Sequence, residues 1–462
     1  MMQLMPVPTC QSKPLRTCWL LLAGLMYSSL LYSKTYQFLY PSWIPVTIQH
    51  DAPFQWNVLI RNDSIYSSYN FLQNSINDMM AFWPQPPNIT ATGIDLNQTA
   101  SASIANLLPT LTLNLGPHKL GSLTINGTYS GAFLPLGFFL SANQLSVSNV
   151  AFVAATASIT ITHPRLSMLL GLAAHPFCRF VHPQVVSLNA GVPIAPQAAD
   201  PQVSIAHKIG KTLVEWTAYT EFLNQSNGPQ GFSTRYIRRG MMPGLTLTIR
   251  REEEQYLIGA ALDIKRLVPL IADFVPTGPA TVQTFSEPNG IVSLIGTIFG
   301  RVNTARWNYR AQFVLGQNGT NLTNLGGYTI RSQDSRSFAY NYTNIWYLSG
   351  WADISARDAT GFCWTPGIFA GYTQMLGTIG CINAVVPPFA TTASVQFYGI
   401  SPLQQLWRIS PRVTLYRSDH LTVQSEIEYT NTTYGTLNTT GRFGDLQKSQ
   451  LLRFIFTTQV TL

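Results

Sequence analysis

Period-two alternation of apolar and polar side chains governs the C-terminal third of this chain. In "LWRISPRVTLY", Trp407, Ile409, Val413 and Leu415 fall on one face, and Arg408, Ser410, Arg412 and Thr414 on the other. In "HLTVQSEIEY", Leu421, Val423, Ile427 and Tyr429 oppose His420, Thr422, Gln424, Glu426 and Glu428. "RFIFTTQVTL" sets Phe454, Phe456, Val460 and Leu462 on a single face. Successive side chains of a strand point to opposite sides, so this pattern reads as strand and not helix. The same alternation recurs upstream in "LTINGTY", "LTLTIRR", "QYLIGAALDI" and "YRAQFVLGQ".

The charges of these segments sit almost wholly on the face without aromatics. Paired residues in an antiparallel hairpin share a side. A loop with an odd number of residues around Ser418 and Asp419 then places Arg408 or Arg412 opposite Glu426 or Glu428. The polar face becomes an Arg–Glu array backed by Trp, Ile, Val, Leu and Phe.

Charged residues make up only 10% of the chain, against ~25% in ordinary soluble domains. Apolar residues are an ordinary 46%. Neutral Ser, Thr, Asn and Gln replace the usual charged coat. Beyond the N-terminus no apolar run reaches the ~18 residues that a spanning helix needs. Strands that are greasy on one face and wet on the other are the signature of a transmembrane β-barrel, closed because lipid tolerates no open sheet edge. The reading is therefore all-β: a transmembrane antiparallel barrel of about 16 strands, wide enough for an aqueous lumen. A large soluble β-sandwich alternates too, but low charge and an export signal weigh against it. No repeat of fixed length supports a solenoid or propeller.

Residues 1–33 read as a signal peptide: Lys13 and Arg16 precede the apolar "TCWLLLAGLMYSSLLYS". A single anchor helix is the alternative. Residues 34–106, rich in Pro and aromatics, read as an N-terminal extension or plug, with one short helix at "SYNFLQNSINDMMAFW". Residues 107–462 are assigned to the barrel. Beyond the signal, Cys178, Cys363 and Cys381 remain, an odd number that makes no disulfide framework.

The stretch "HPFCRFVH" holds His175, Cys178 and His182 at H-x2-C-x3-H spacing. Pro176 and Pro183 preclude a regular helix, and a metal needs at least three converging ligands. The preferred reading is a loop that follows the strand "SMLLGLAA" and folds into the pore, with His175, Arg179 and His182 lining a constriction. An external loop with no part in passage is the competing reading.

Four segments carry a resemblance: "HPFCRFVHPQVVSLNAGVPIAPQAADPQVSIAHKIGKTLVEWTAYTEF", "SNGPQG…YIRRGMMPGLTLTI", "NLTNLGGYTI" and "GIFAGYTQMLGTIG". Together they resemble porin-like outer-membrane barrels of Bacteroidetes-type Gram-negative bacteria, related to the DcaP-like porins. The resemblance covers about residues 160–380. It implies an outer-membrane barrel, a homotrimer, passing small hydrophilic solutes. Two departures stand out. The N-terminal region differs from the family pattern, and Leu462 replaces the usual terminal Phe that the barrel assembly machinery reads.

The ten Asn-x-Ser/Thr sequons follow from Asn and Thr enrichment, and Asn126 lies within an alternating strand. They leave a secreted β-rich glycoprotein as a rival reading. There is no G-x-S-x-G elbow or HExxH motif, so the chain is not read as an enzyme. Lys and Arg are sparse and dispersed, which argues against nucleic-acid binding. No cofactor is implied. The function inferred is an outer-membrane porin with pore-lining candidates Arg179, His182, Arg250, Arg310, Arg408, Arg412, Glu426 and Glu428. A structural or adhesive surface barrel with a blocked lumen is the alternative. The positive excess among the pore-lining candidates points to a mild anion preference, with Arg–Glu pairing able to cancel most of it.

Overall fold

The computed structural model describes residues 54–68, 83–98, 101–105, 110–120, 123–136, 149–187, 190–222, 224–229, 231–270, 272–278, 281–286, 289–333, 340–357, 361–382, 396–398 and 402–461. All belong to the compact unit Gln37–Leu462. The signal peptide expected at 1–33 lies outside the described residues, as does nearly all of the helix expected over 68–83.

The strands, in chain order, are β1 (Phe54–Ser67), β2 (Ser101–Ala105), β3 (Thr110–Leu120), β4 (Leu123–Leu136), β5 (Asn149–Thr162), β6 (Leu166–Ala174) and β7 (Ala199–Ile209). Next come β8 (Thr212–Tyr219), β9 (Gly244–Glu252), β10 (Tyr256–Leu267), β11 (Ala272–Gly278), β12 (Thr281–Ser286), β13 (Ile291–Asn303) and β14 (Trp307–Gln317). The last are β15 (Gly327–Gln333), β16 (Tyr340–Ala356), β17 (Gly361–Thr378), β18 (Gln396–Tyr398), β19 (Leu403–Arg417), β20 (Leu421–Leu437) and β21 (Phe443–Thr461). Two short helices, α1 (Pro176–Arg179) and α2 (Arg235–Arg239), lie in connections.

The pairings close on themselves. From β3 the antiparallel ladder runs through β4, β5, β6, β7, β8, β9 and β10. It continues through β13, β14, β16, β17, β19, β20 and β21. β21 pairs with β1 from Leu59↔Thr461 to Ser67↔Arg453, and the other edge of β1 pairs with β3. Among the described residues this is a ring of sixteen strands, an even number as antiparallel closure requires. β2 extends the β1 edge beyond β3, β15 and β18 extend the wall beside β16, and β11–β12 is a separate hairpin.

One expectation is corrected here. Residues 34–106 are not solely an extension or plug, because β1 within them closes the ring. Its "FQWNVLIRNDSIYS" alternates only in part, and the surrounding Pro-rich segments mask it. Trp83, from the same region, is fully buried in the main apolar cluster.

The two faces are inverted relative to a soluble protein. Trp216, Ile258 and Ile298 are each more than 60% exposed on the outer face, and Phe454 and Phe456 lie there too. Thr248, Asp263, Lys265, Ser293, Ser349, Asp353, Glu428 and Arg453 are buried inside. An apolar exterior is stable only against hydrocarbon, so the outer face is a lipid-facing belt.

The β19–β20 hairpin matches Arg412 with Glu426. The loop is nevertheless even: Arg417↔Thr422 is the last pair, and a bulge between Thr414 and Tyr416 restores the faces. A bulge adds one residue to one strand, which does the work of an odd loop.

At one rim, turns of a few residues join β5–β6, β7–β8, β9–β10 and β13–β14. At the other, long connections follow β4, β6, β8, β10, β14 and β17. Five of these carry structure that alternation did not reveal: α1, α2, the β11–β12 hairpin, β15 and β18.

Candidate functional site

Residues 175–187 and 190–198, between β6 and β7, fold into the ring. They open with α1, one turn whose N-cap His175 accepts from the Phe177 N–H through Nδ1 at 3.3 Å. Proline was expected to exclude a helix here. Pro176 stands at the first helical position, where its missing N–H is not needed and its fixed φ suits the turn.

The three metal-friendly side chains go separate ways. His175 Nε2 lies 3.4 Å from Thr246 Oγ1 and 3.7 Å from Asp263 Oδ1. Cys178 Sγ donates to the carbonyls of His175 and Ala198, each at 3.3 Å. Burial pushes its thiol up to about 11, so it stays protonated. His182 is half-buried and faces Arg310, Arg301 and Asp353. Burial first, then the two guanidinium charges, push it down to about 4, while Asp353 opposes the shift.

Beyond α1 the loop hangs on the wall by charged side chains gripping its backbone. The Gln184 N–H donates to Asp353 Oδ2 at 3.2 Å, and Ser355 Oγ donates to Gln184 Oε1 at 2.9 Å. The Val186 N–H donates to Glu426, and Arg61 donates to the Val186 carbonyl. Arg453 Nη2 donates to Ser187 Oγ at 3.0 Å, Arg408 Nη1 to the Val192 carbonyl at 3.1 Å, and Ser349 Oγ to the Ile194 carbonyl at 2.6 Å. Its apolar side chains, Val185, Val192 and Ile194, are buried with Phe369, Tyr347 and Trp83.

Closer to β6 lies a cationic strip. Glu215 Oε1 accepts from Arg179 Nη1, and its Oε2 from Arg250 Nη1, both at 2.7 Å. Arg179 Nη2 also donates to Gln202 Oε1 at 2.6 Å. The Arg250 guanidinium carbon sits 3.9 Å from the Phe180 ring centroid, and Phe180 stacks on Phe299 at 5.8 Å. Arg310 faces inward between Arg301 and Asp353 in the ladder, and Arg412 Nη2 pairs with Asp353 Oδ1 at 2.9 Å.

The sequence-derived candidates therefore divide. Arg179, His182, Arg250, Arg310 and Arg412 are half-buried on or beside this strip. Arg408, Glu426 and Glu428 turn inward as the alternation requires but are buried beneath the loop. In place of the open-lumen role expected for those three, Arg408 and Glu426 hold the loop and Glu428 pairs with Arg408 and Arg453, because the loop covers their side of the wall. Glu215, Asp353, Arg61 and Arg453 were missed. Alternation within "TLVEWTAY" and "LSGWADISA" puts Glu215 and Asp353 on the polar face, which is the signal that finds them.

The β3–β5 wall is wet. Registers place Asn114, Thr128 and Ser158 on one inward row, with Asn126 and Thr160 on the next. Thr128 is exposed and the others are half-buried, whereas inward residues of β16 and β20 are mostly buried.

No family model and no curated protein matches the chain. Solved structures do. The outer membrane channel DcaP of Acinetobacter baumannii superposes with a TM-score of 0.57 at 10% identity, over 88% of this chain and 97% of that one. The fold is that of an outer-membrane porin barrel. Weaker likenesses are OmpT of Vibrio cholerae in its trimer form (TM-score 0.46, 8% identity, 89% and 100% covered) and an anion-selective porin from Comamonas acidovorans (0.47, 7%, 88% and 99%).

Proposed function

We propose that this chain is an outer-membrane pore through which small hydrophilic solutes diffuse, entering between the inward loop and the β3–β5 wall. One observation carries the reading: inside a ring with an apolar exterior, solvent reaches inward-facing Asn126, Thr128 and Thr160 while the loop is held by β1, β16 and β19–β21. Arg179, His182, Arg250, Arg310 and Arg412 would line the passage on the loop side. Their net positive charge favours anions over cations. In this reading the chain is exported by its N-terminal signal, handled by the barrel assembly machinery, and works as a homotrimer in the outer membrane. Planar-bilayer recording of purified protein tests it. Stepwise conductance is expected, and its absence at every voltage defeats the pore while leaving the barrel intact.

The blocked-lumen alternative draws on a specific observation too. The apolar cluster joining Trp83, Phe177, Val192 and Ile194 to Phe369 and Tyr347 fills part of the interior. Replacing residues 184–194 with a short Gly-Ser link separates the two. A plugged barrel gains solute uptake from none, whereas an open pore changes only its conductance.

A further inference from the structure

On the outer face of β10, Ile258, Leu262 and Ile264 form an exposed apolar column, and Arg266 continues it one pleat period further toward the long-connection rim. That step is about 7 Å along the strand, the distance from hydrocarbon to headgroup. Arg266 Nη1 donates to the carbonyl of Gly240 at 3.4 Å and so ties the end of α2 to this outward face. α2 carries Arg235, Arg238 and Arg239, of which Arg235 and Arg238 are exposed, while Tyr236 and Ile237 anchor it in a buried cluster. Arg239 Nη1 is fixed on the Pro269 carbonyl at 3.0 Å. Among the described residues none of these four arginines forms an ion pair with a carboxylate. Between α2 and β9 the chain exposes Met241 by 91% and Met242 by 49%, with Met241 held at φ 53°. Leu245 and Ile249 continue the exposed apolar face below them.

Four guanidinium groups at the long-connection rim, with two exposed methionines and an apolar wall nearby, match a ligand with anionic oxygens over hydrocarbon chains. We propose that the α2–β9–β10 rim is a docking site for a phosphate-bearing lipid of the surrounding leaflet. Arg235, Arg238 and Arg266 bind the phosphate by charge-assisted hydrogen bonds, and Met241 and Met242 pack on the acyl chains. The inference rests on the membrane-barrel part of the proposed function but not on conduction.

Native mass spectrometry of the detergent-solubilised barrel, titrated with a diphosphorylated glycolipid, tests it. Wild type is expected to retain the lipid. Affinity should fall roughly fivefold per arginine removed in R235Q, R238Q and R266Q, alone and combined. M241Q should weaken lipid binding as well, since a bare anion site does not use the methionine. Heat-modifiable gel migration checks folding, and the exposed single variant R238Q stands in if the triple variant does not fold. Undiminished lipid binding in folded R238Q and R235Q overturns the proposal. Displacement of the lipid by millimolar inorganic phosphate, with M241Q unaffected, also overturns it in favour of a free-anion site. Planar-bilayer conductance of the same variants should be unchanged. Loss of conductance in wild type itself falls on the pore and leaves the lipid site standing.

Discussion

Arg453 and Glu428 are both fully buried, with Nη2 and Oε1 2.7 Å apart, and the same guanidinium holds Ser187 of the inward loop. A wall ion pair between β20 and β21 thus positions one of the guanidinium groups that grip the loop. Glu428 also lies 3.4 Å from Arg408, which grips the Val192 carbonyl. Removing Glu428 takes a carboxylate partner from two buried cations at once. Glu428→Ala should destabilise the barrel by about 3–5 kcal/mol, measured by urea unfolding in detergent. An unchanged midpoint would show that the cations find other partners.

The loop is held sterically as well. An added Cβ at Gly371 would lie 2.8 Å from Ile194 Cγ2. Gly371→Val should cost about 1–3 kcal/mol and shift the loop toward the β3–β5 wall. Smaller single-channel conductance is the expected readout, and an equal or larger one contradicts the proposed path.

Selectivity should follow the strip around Glu215. Replacing Arg179 and Arg250 together by Gln leaves Glu215 without its two counter-charges, which turns the local charge negative. The reversal potential in a salt gradient should then move toward cation preference. No movement places the permeation path elsewhere.

His182 provides the pH dependence. Its folded value of about 4 lies below the ordinary 6.5, because burial and then Arg310 and Arg301 disfavour the charged ring. Between those values the unfolded chain binds a proton that the folded chain refuses, so stability rises with pH across that window. The contribution is fully present above about 6.5 and is lost as pH falls toward 4. Urea midpoints at pH 7 and pH 4.5 should converge in H182Q relative to wild type. Equal pH slopes in both proteins dismiss the effect.

Inside and outside should respond oppositely to charge. Ile298→Arg places a cation on the lipid face at a cost of about 2–4 kcal/mol if it sits near the midplane. Thr128→Arg points into the wet interior and should be tolerated within about 0.5 kcal/mol. Folding yield into liposomes measures both, and the reverse order would mean the faces are exchanged.

The alternation in "LWRISPRVTLY" and "HLTVQSEIEY" determined which side chains face lipid and which face inward, because a strand offers only two faces and a charge on the outer one is costly. With low total charge, that sufficed for a closed barrel of about sixteen strands. It did not reveal β1, whose pattern is weak and whose partners, β3 and β21, lie at opposite ends of the sequence. Nor could it show that Arg408 and Glu426 bind the loop, that Glu428 pairs with Arg408 and Arg453, or that Arg179 and Arg250 share Glu215. Periodicity specifies a face, not what covers it, and the cover is a segment more than 200 residues away in the sequence.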